Sequence, residues 1–168
     1  MEQNTNITTT QVGLRYGIIY GLTAVVISLV SIMADMQEIF VIRILNIAVM
    51  IAFLVMPMQY FKAQNEGFMS FGQGMGIGAI VSAVSSFISG IFILVYYRLI
   101  APQKFEEILD KARESWEKAG MKEEQMRVVE KFTTPEVMFV SALISGIIFG
   151  VIISLIVAAI LQKKKPEF

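Results

Sequence analysis

The amino-acid sequence predicts an all-α integral membrane protein, a four-helix bundle with an amphipathic helical insert between the third and fourth spans. Composition is the first reason: 55% of the 168 residues are hydrophobic and 17% are charged, whereas soluble domains have about 45–50% apolar and about 25% charged residues. The second reason is four long apolar stretches, each with the roughly 20 residues that a helix needs to cross a bilayer. The length predicts a single membrane domain over residues 1–168.

The first two stretches predict an antiparallel pair of spans at residues 12–33 and 39–58. Both are far too long for β-strands, so they are interpreted as helices. The connection at 34–38 is so short that the two helices must form a hairpin. The polar residues 1–11 are predicted to be a tail that is too short to fold alone. Pro57 is compatible with a span because it lies at the predicted end.

The third span is predicted at residues 72–100 and the fourth at 137–161. Between them, the insert at 101–134 contains 8 acidic and 7 basic residues, about half of all the charges in the chain. Apolar residues with the three-and-four spacing of one helix face predict an amphipathic helix there; they are Phe105, Ile108, Leu109, Ala112 and Trp116.

Proline and glycine positions indicate where the insert helices begin and end. Pro102 suits a first helical turn, and Gly120 suits a C-terminal cap. A second short helix is predicted around Val129, and Thr134 is the expected N-cap of the fourth span. The favoured interpretation is a helical hairpin that packs on the ends of its own spans or on the lipid interface. The alternative is a docking surface for a partner protein.

Basic residues predict the orientation of the chain in the membrane. The tail at 162–168 includes Lys163, Lys164 and Lys165, and such a cluster beside a span favours the cytoplasm. Both termini are therefore expected to be cytoplasmic, together with Lys62. The basic residues of the insert would favour the opposite orientation by number, but they are discounted because they belong to an acid-balanced, folded segment.

Small residues recur every four positions along three of the spans. They are Gly13, Gly17 and Gly21 in the first span, Gly74, Gly78, Ser82, Ser86 and Gly90 in the third, and Ala142, Gly146, Gly150 and Ser154 in the fourth. In hydrocarbon, helices associate where small residues let their backbones approach closely. We expect these residues to pack the helices of the bundle, with self-association or binding of another membrane protein as the alternative.

Polar side chains within or beside the spans are candidates for function, because they are costly in lipid. These candidates are Arg15, Arg43, Asn46 and Gln73. Both arginines lie close to the end of a span and can extend their charge to the interface. Asn46 lies deeper, so its amide is expected to find a partner on another helix.

The sequence predicts a protein that is not an enzyme. It contains no histidine and no cysteine, which excludes serine–histidine and cysteine–histidine catalysis, zinc clusters and the HExxH motif. The glycines at 74, 76 and 78 are not followed by the Lys-Ser/Thr pair of a phosphate-binding loop. We therefore predict no catalytic residue, cofactor site or metal site. The net charge of zero gives no indication of nucleic-acid binding.

The order of these segments resembles a known bacterial family. The features that carry the resemblance are LRYGIIYGL at 14–22, Ser70-Phe71-Gly72-Gln73 before a glycine-rich third span, the charged insert and the lysine-ending fourth span. The family is catalogued as domain of unknown function 4199 and is frequent in Bacteroidota. The resemblance covers nearly the whole chain and implies a small four-span inner-membrane protein without assigned catalytic residues. Its members are often encoded near polyprenyl-phosphate glycosyltransferases.

Two functional hypotheses follow. The first is a non-enzymatic accessory or scaffolding subunit of a membrane complex, with lipid-linked sugar metabolism as a candidate process. Its partners would be the lipid bilayer and a second copy of the chain or another membrane protein. The alternative is a small oligomeric transporter or flippase whose route is lined by the four polar candidates. Transporters of this kind usually show internal repeats or broken helices around a midplane site.

Overall fold

The computed structural model describes residues 7–36 and 39–164, and these ranges fold into six α-helices. The helices are α1 (Thr9–Met33), α2 (Phe40–Gln64), α3 (Phe71–Val95), α4 (Pro102–Lys118), α5 (Glu123–Phe132) and α6 (Pro135–Leu161). Four of them, α1, α2, α3 with its continuation to Ile100, and α6, are long and apolar enough to cross a membrane. The predicted all-α membrane fold is confirmed.

Helix α1 begins before the apolar stretch does, so the predicted tail is wrong for its last residues. The backbone N–H of Gln11 donates to Thr8 Oγ1 at 3.2 Å, and the N–H of Thr8 donates to Gln11 Oε1 at 3.2 Å. This reciprocal capping satisfies two N–H groups that the first turn would otherwise leave unpaired. The rest of the tail prediction, residues 1–6, lies outside the described residues.

Helix α2 extends six residues beyond its predicted end, to Gln64, which places Pro57 inside the helix. Proline lacks the N–H that would bond the preceding turn. The Pro57 side chain is fully buried, and we attribute the continuation of the helix to the packing around it. The connection to α3 is correspondingly short, and its turn uses Glu66 and Gly67 at positive φ.

Helix α3 continues into a π-helical turn at Tyr96–Ile100. The Ala101 N–H donates to the Tyr96 carbonyl at 2.8 Å, which is the five-residue spacing of a π-turn. The end of the third span therefore agrees with the predicted residue 100, although the widened turn was not predicted.

The chain divides into two compact units. The first contains the described residues up to Ser89 and from Ser145 onward. Its core is formed by side chains from α1, α2, α3, α6 and the α2–α3 connection; they are Val12, Leu54, Met58, Phe61, Met69, Ile77, Val81, Val157 and Ala158. All polar candidates predicted from the sequence belong to this unit.

The second unit, Gly90–Ile144, contains the insert. Arg113 of α4 donates from Nε to Glu130 of α5 at 3.4 Å, forms a second and shorter bond to the same carboxylate, and donates to Asp110 at 2.6 Å. These hydrogen bonds from Arg113 hold the pKa of the Glu130 carboxyl below its usual value. An ion pair joins Arg98 to Glu136, at the first turn of α6. The two helices of the insert, α4 and α5, are thus joined by the ion pair between Arg113 and Glu130.

The ends of the insert helices follow the proline and glycine signals. Pro102 is the first residue of α4, and Gly120 after its end has a φ of +76°. The Val137 N–H donates to Thr134 Oγ1 at 3.3 Å, so Thr134 caps α6. Leu109 is the buried residue of α4, with 6% of its surface exposed.

Candidate functional site

The small residues of α3 and α6 face each other along the first unit. A Cβ atom added to Gly78 would overlap the Ser154 side chain, and one added to Gly150 would overlap Ser82. We call this contact the glycine–serine seam; its residues are Gly74, Gly78, Ser82 and Ser86 of α3 and Gly146, Gly150, Ser154 and Ala158 of α6. The paired residue numbers run in opposite directions, so the two helices are antiparallel.

The backbones of α3 and α6 also approach closely at both ends of the seam. A Cβ atom at Gly74 would lie 2.8 Å from the Ala158 Cβ, which real Cβ atoms do not tolerate. A Cβ atom at Gly146 would overlap the Ser86 hydroxyl. Glycine is therefore the residue that lets the two backbones approach over about three helical turns.

The two central serines of the seam donate to their own helices. Ser82 Oγ donates to the Gly78 carbonyl at 2.7 Å, and Ser154 Oγ donates to the Gly150 carbonyl at 2.7 Å. Ser82 is 4% exposed and Ser154 is fully buried. Because each hydroxyl proton is bonded to a carbonyl one turn earlier, both groups are satisfied inside a dry contact. Their geometry is that of packing residues.

The glycines of α1 contact a different face of α3. Cβ atoms at Gly13, Gly17 and Gly21 would lie 2.7, 2.8 and 2.9 Å from the Cβ atoms of three β-branched residues. Those residues are Ile80, Val84 and Ile88. The numbers rise together, so α1 and α3 are parallel. Sequence reasoning missed these three partners, although their spacing of four on α3 matches that of the glycines.

In the second unit, Gly90 lies against Phe139. A Cβ atom at Gly90 would be 2.8 Å from Phe139 Cδ2. Ala142 is half-buried in the same unit. These two positions therefore belong to a separate unit from the glycine–serine seam, whereas the sequence placed them on the same stripes.

Two polar candidates, Arg15 and Gln73, have local structural roles. Arg15 is exposed, and its guanidinium carbon lies 5.9 Å from the centre of the Tyr60 ring, a cation–π contact. Gln73 Oε1 accepts from the Ser70 N–H at 2.8 Å, and the Gln73 N–H donates to Ser70 Oγ at 3.2 Å. The Ser70–Gln73 segment is thus the capping box that begins α3.

The other two polar candidates, Arg43 and Asn46, lie on the exposed part of α2. Both side chains are exposed, and neither forms a hydrogen bond or ion pair with a described residue. The interhelical partner expected for Asn46 is therefore not found within residues 7–36 and 39–164.

The four polar candidates do not come together. Helices α1 and α2 are antiparallel, because the Tyr16 ring contacts the Tyr60 ring at a tilt and the Tyr20 ring stacks on the Phe53 ring. Since α1 and α3 are parallel, the beginning of α2 lies at the end of the unit opposite to the beginnings of α1 and α3. Arg43 and Asn46 are consequently separated from the other two candidates.

The ends of α2 and α6 form a second polar region. Lys62 Nζ donates to the Leu161 carbonyl at 2.9 Å. Met69 and Lys163 pair as a short antiparallel bridge, with N–H···O distances of 3.0 and 2.8 Å. The Lys163 ammonium lies 5.4 Å from the centre of the Phe68 ring. An open cavity of about 450 Å³ lies beside this bridge, and Lys164 contributes to its lining.

The described residues contain no group of three or more carboxylates that could hold a metal ion. The site geometry therefore consists of close helix contacts, an exposed polar pair on α2 and a basic region at one end. With four apolar helices of spanning length, the fold defines a multi-pass α-helical membrane protein. The chain belongs to the family described as protein of unknown function (DUF4199), which it matches over residues 15–163, and this confirms the resemblance. Searches of the curated proteins and of the solved structures found no match.

Proposed function

We propose that the protein is a non-enzymatic accessory or scaffolding subunit of an inner-membrane complex. The observation that carries the proposal is the exposed pair Arg43 and Asn46 on an otherwise apolar part of α2. Placing an amide without a hydrogen-bond partner in hydrocarbon costs a free energy of about 2–7 kcal/mol. A helix of another subunit that carries a carboxylate, amide or hydroxyl would remove this cost.

Of the two residues, Asn46 gives the stronger argument for a partner helix. Arg43 is only three residues from the start of α2, and its long side chain can reach the interface. Asn46 lies nearly two turns from the start of α2, and its side chain is too short to reach the interface. The residues on either side of Asn46, Leu45 and Ile47, are exposed apolar residues, 47% and 51% accessible, and they belong to the surface that a partner helix would cover.

The contacts between α3 and α6 support this role. We interpret the glycine–serine seam as small-xxx-small packing that holds the chain's own helices together. The α2 surface is then left for a partner. Because members of the family are often encoded near polyprenyl-phosphate glycosyltransferases, we propose lipid-linked sugar metabolism as the process that the complex serves.

Replacing Asn46 by leucine is expected to remove the partner without harming the isolated protein. Leucine has nearly the same volume but cannot accept or donate a hydrogen bond. The test is co-purification from native membrane followed by mass spectrometry. The amount of partner recovered should fall about 5- to 30-fold, because an interhelical polar contact contributes about 1–2 kcal/mol, while the melting temperature in detergent should be unchanged or raised.

Ile44→Leu is the matched control, since Ile44 is on the same helix and 50% exposed. It should retain the partner. Equal partner recovery with Asn46→Leu would contradict the proposal. If purification returns only copies of this chain and they separate in Asn46→Leu, the partner surface is used for self-association.

The transporter hypothesis gains no support from the positions of the polar candidates. A route through the bundle would need Arg15, Arg43, Asn46 and Gln73 to line one path. Arg15 and Gln73 instead lie at one end of the first unit, with Arg43 and Asn46 at the other, and Gln73 is used to cap α3.

We propose that both termini are cytoplasmic and that the amphipathic helix α4 lies at the periplasmic surface. Reporters fused after Lys164 and in the connection 65–70 should then report the cytoplasm. A reporter in the exposed turn 119–122 should report the periplasm. A cytoplasmic signal from that third fusion would reverse the orientation and show that the number of basic residues decides it.

A further inference from the structure

An apolar groove runs along α2 and α6 on the first unit. It has a volume of about 310 Å³ and is lined entirely by aliphatic side chains. They include Ile51 and Val55 of α2 and Ile153, Ile156 and Ile160 of α6. Several of these residues are strongly exposed, with Ile156 at 58% and Ile160 at 74%. The groove is therefore open to the hydrocarbon of the bilayer.

One end of the groove is basic. Leu161 lines the groove and is the last residue of α6, and its carbonyl accepts the hydrogen bond from Lys62. Lys62 follows Val55 by seven residues and Ile51 by eleven, which are about two and three helical turns. It therefore extends the same face of α2 that lines the groove. Lys163 and Lys164 follow Leu161 after a single residue, Gln162.

We propose that this groove binds an anionic phospholipid, with one acyl chain along α2 and α6 and the phosphate at the lysines. The Lys62 ammonium has three N–H groups, and the bond to Leu161 uses one of them. That bond also offsets the partial negative charge at the end of α6. The remaining N–H groups and the two following lysines give this end a positive charge that complements a phosphate.

A lipid fits both parts of the site, whereas a soluble anion fits only one. Aliphatic lining offers nothing to an inorganic phosphate, and a zwitterionic lipid gains less from the lysines because its headgroup has no net charge. Glu66 is the carboxylate that lines the neighbouring cavity, and it already has an interaction partner. The site thus predicts selectivity by headgroup charge and retention by the acyl chain.

Native mass spectrometry of the full chain tests the proposal. The purified protein is mixed with phosphatidylglycerol and phosphatidylcholine in equal amounts and with identical acyl chains. The wild type should retain phosphatidylglycerol preferentially. Lys62→Gln and Lys164→Gln should each lower that retention about fivefold, as expected for removal of one basic residue near a membrane surface.

A second pair of variants tests the groove itself. Ile156→Phe fills it and should reduce retention of both lipids. Ile148→Phe, on the same helix and 52% exposed, should not. Lys118→Gln removes an exposed lysine of the insert and should leave headgroup selectivity unchanged. Melting temperatures of all variants show that each is folded.

Three results would overturn the proposal. The first is equal retention of the two lipids by the wild type. The second is a preference for phosphatidylglycerol that survives in both lysine variants, since Lys164 is exposed and its replacement does not disturb packing. The third is displacement of the lipid by glycerol 1-phosphate in solution, which would indicate a site for a soluble anion. None of these results depends on the α2 partner surface.

Discussion

Replacing Gly78 by leucine is expected to lower the stability of the isolated protein by about 3 kcal/mol, at the upper end of the usual cost of overpacking. A Cβ atom alone at this position overlaps Ser154 and lies 3.2 Å from the Met58 Cε. A leucine adds three more carbons in the same space. Since the seam fixes both backbones, α3 and α6 must separate. Thermal unfolding in detergent measures the loss.

Gly76→Leu is the matched control, two residues away on the same helix. A Cβ atom at Gly76 has no neighbour within 4 Å. Leucine is also the better helix former, by about 1 kcal/mol relative to glycine. The melting temperature of Gly76→Leu should therefore be unchanged or slightly raised. Equal losses in both variants would mean that the seam does not hold the bundle together.

The Gly78 variant also separates two interpretations of the small-residue stripes. Lost stability of the isolated chain identifies a contact within the bundle. Unchanged stability with a lost partner would identify an interface between proteins. The close approach of Gly78 to Ser154, both in this chain, leads us to expect the first outcome.

Met58→Ala is expected to destabilise the first unit by about 2–5 kcal/mol, the usual cost of removing a large buried side chain. Met58 is fully buried, and it belongs to the core cluster with Leu54 and Val157. Its removal leaves a cavity that lipid cannot enter, so the surrounding atoms lose their dispersion contacts. Chemical or thermal unfolding in detergent measures the change.

Met56→Ala makes the same chemical change on the same helix, but Met56 is 49% exposed. Acyl chains or detergent can occupy the space that its side chain leaves. Its effect should therefore stay within about 0.5 kcal/mol, as for most surface substitutions. A comparable loss in both methionine variants would show that burial in this region is not what stabilises it.

The four spans could be predicted because an apolar stretch of spanning length has few alternatives to a helix in a bilayer. The ends were harder. Helix α1 begins at a polar capping box, Thr8 with Gln11, where hydropathy gives no signal. Helix α2 continues beyond Pro57 because tertiary contacts compensate for the missing N–H, and a local sequence pattern does not contain those contacts.

The small-residue stripes were visible in the sequence, but their partners were not. Spacing places Gly13, Gly17 and Gly21 on one helix face without indicating which helix they meet. In the structure they pack against β-branched residues of α3, whereas the small residues of α3 pack against those of α6. Such a pairing depends on helix register and direction, which are set by the whole bundle. The bond between Lys62 and Leu161 joins residues 99 positions apart, and no local pattern indicates it.

The seam has a consequence for the order of events during synthesis. Gly78 emerges from the ribosome 76 residues before Ser154, which at about 5–20 residues per second is a delay of about 4–15 s. Helix α1 precedes α3, so its glycines can meet Ile80 and Val84 at once. The seam face of α3 has no partner helix yet, so it contacts lipid or the insertion machinery during this delay. The charged insert is translated and moved to its side of the membrane in the same interval. Arrival of α6 then closes the bundle, and the pairing of Lys163 with Met69 is among the last contacts to form.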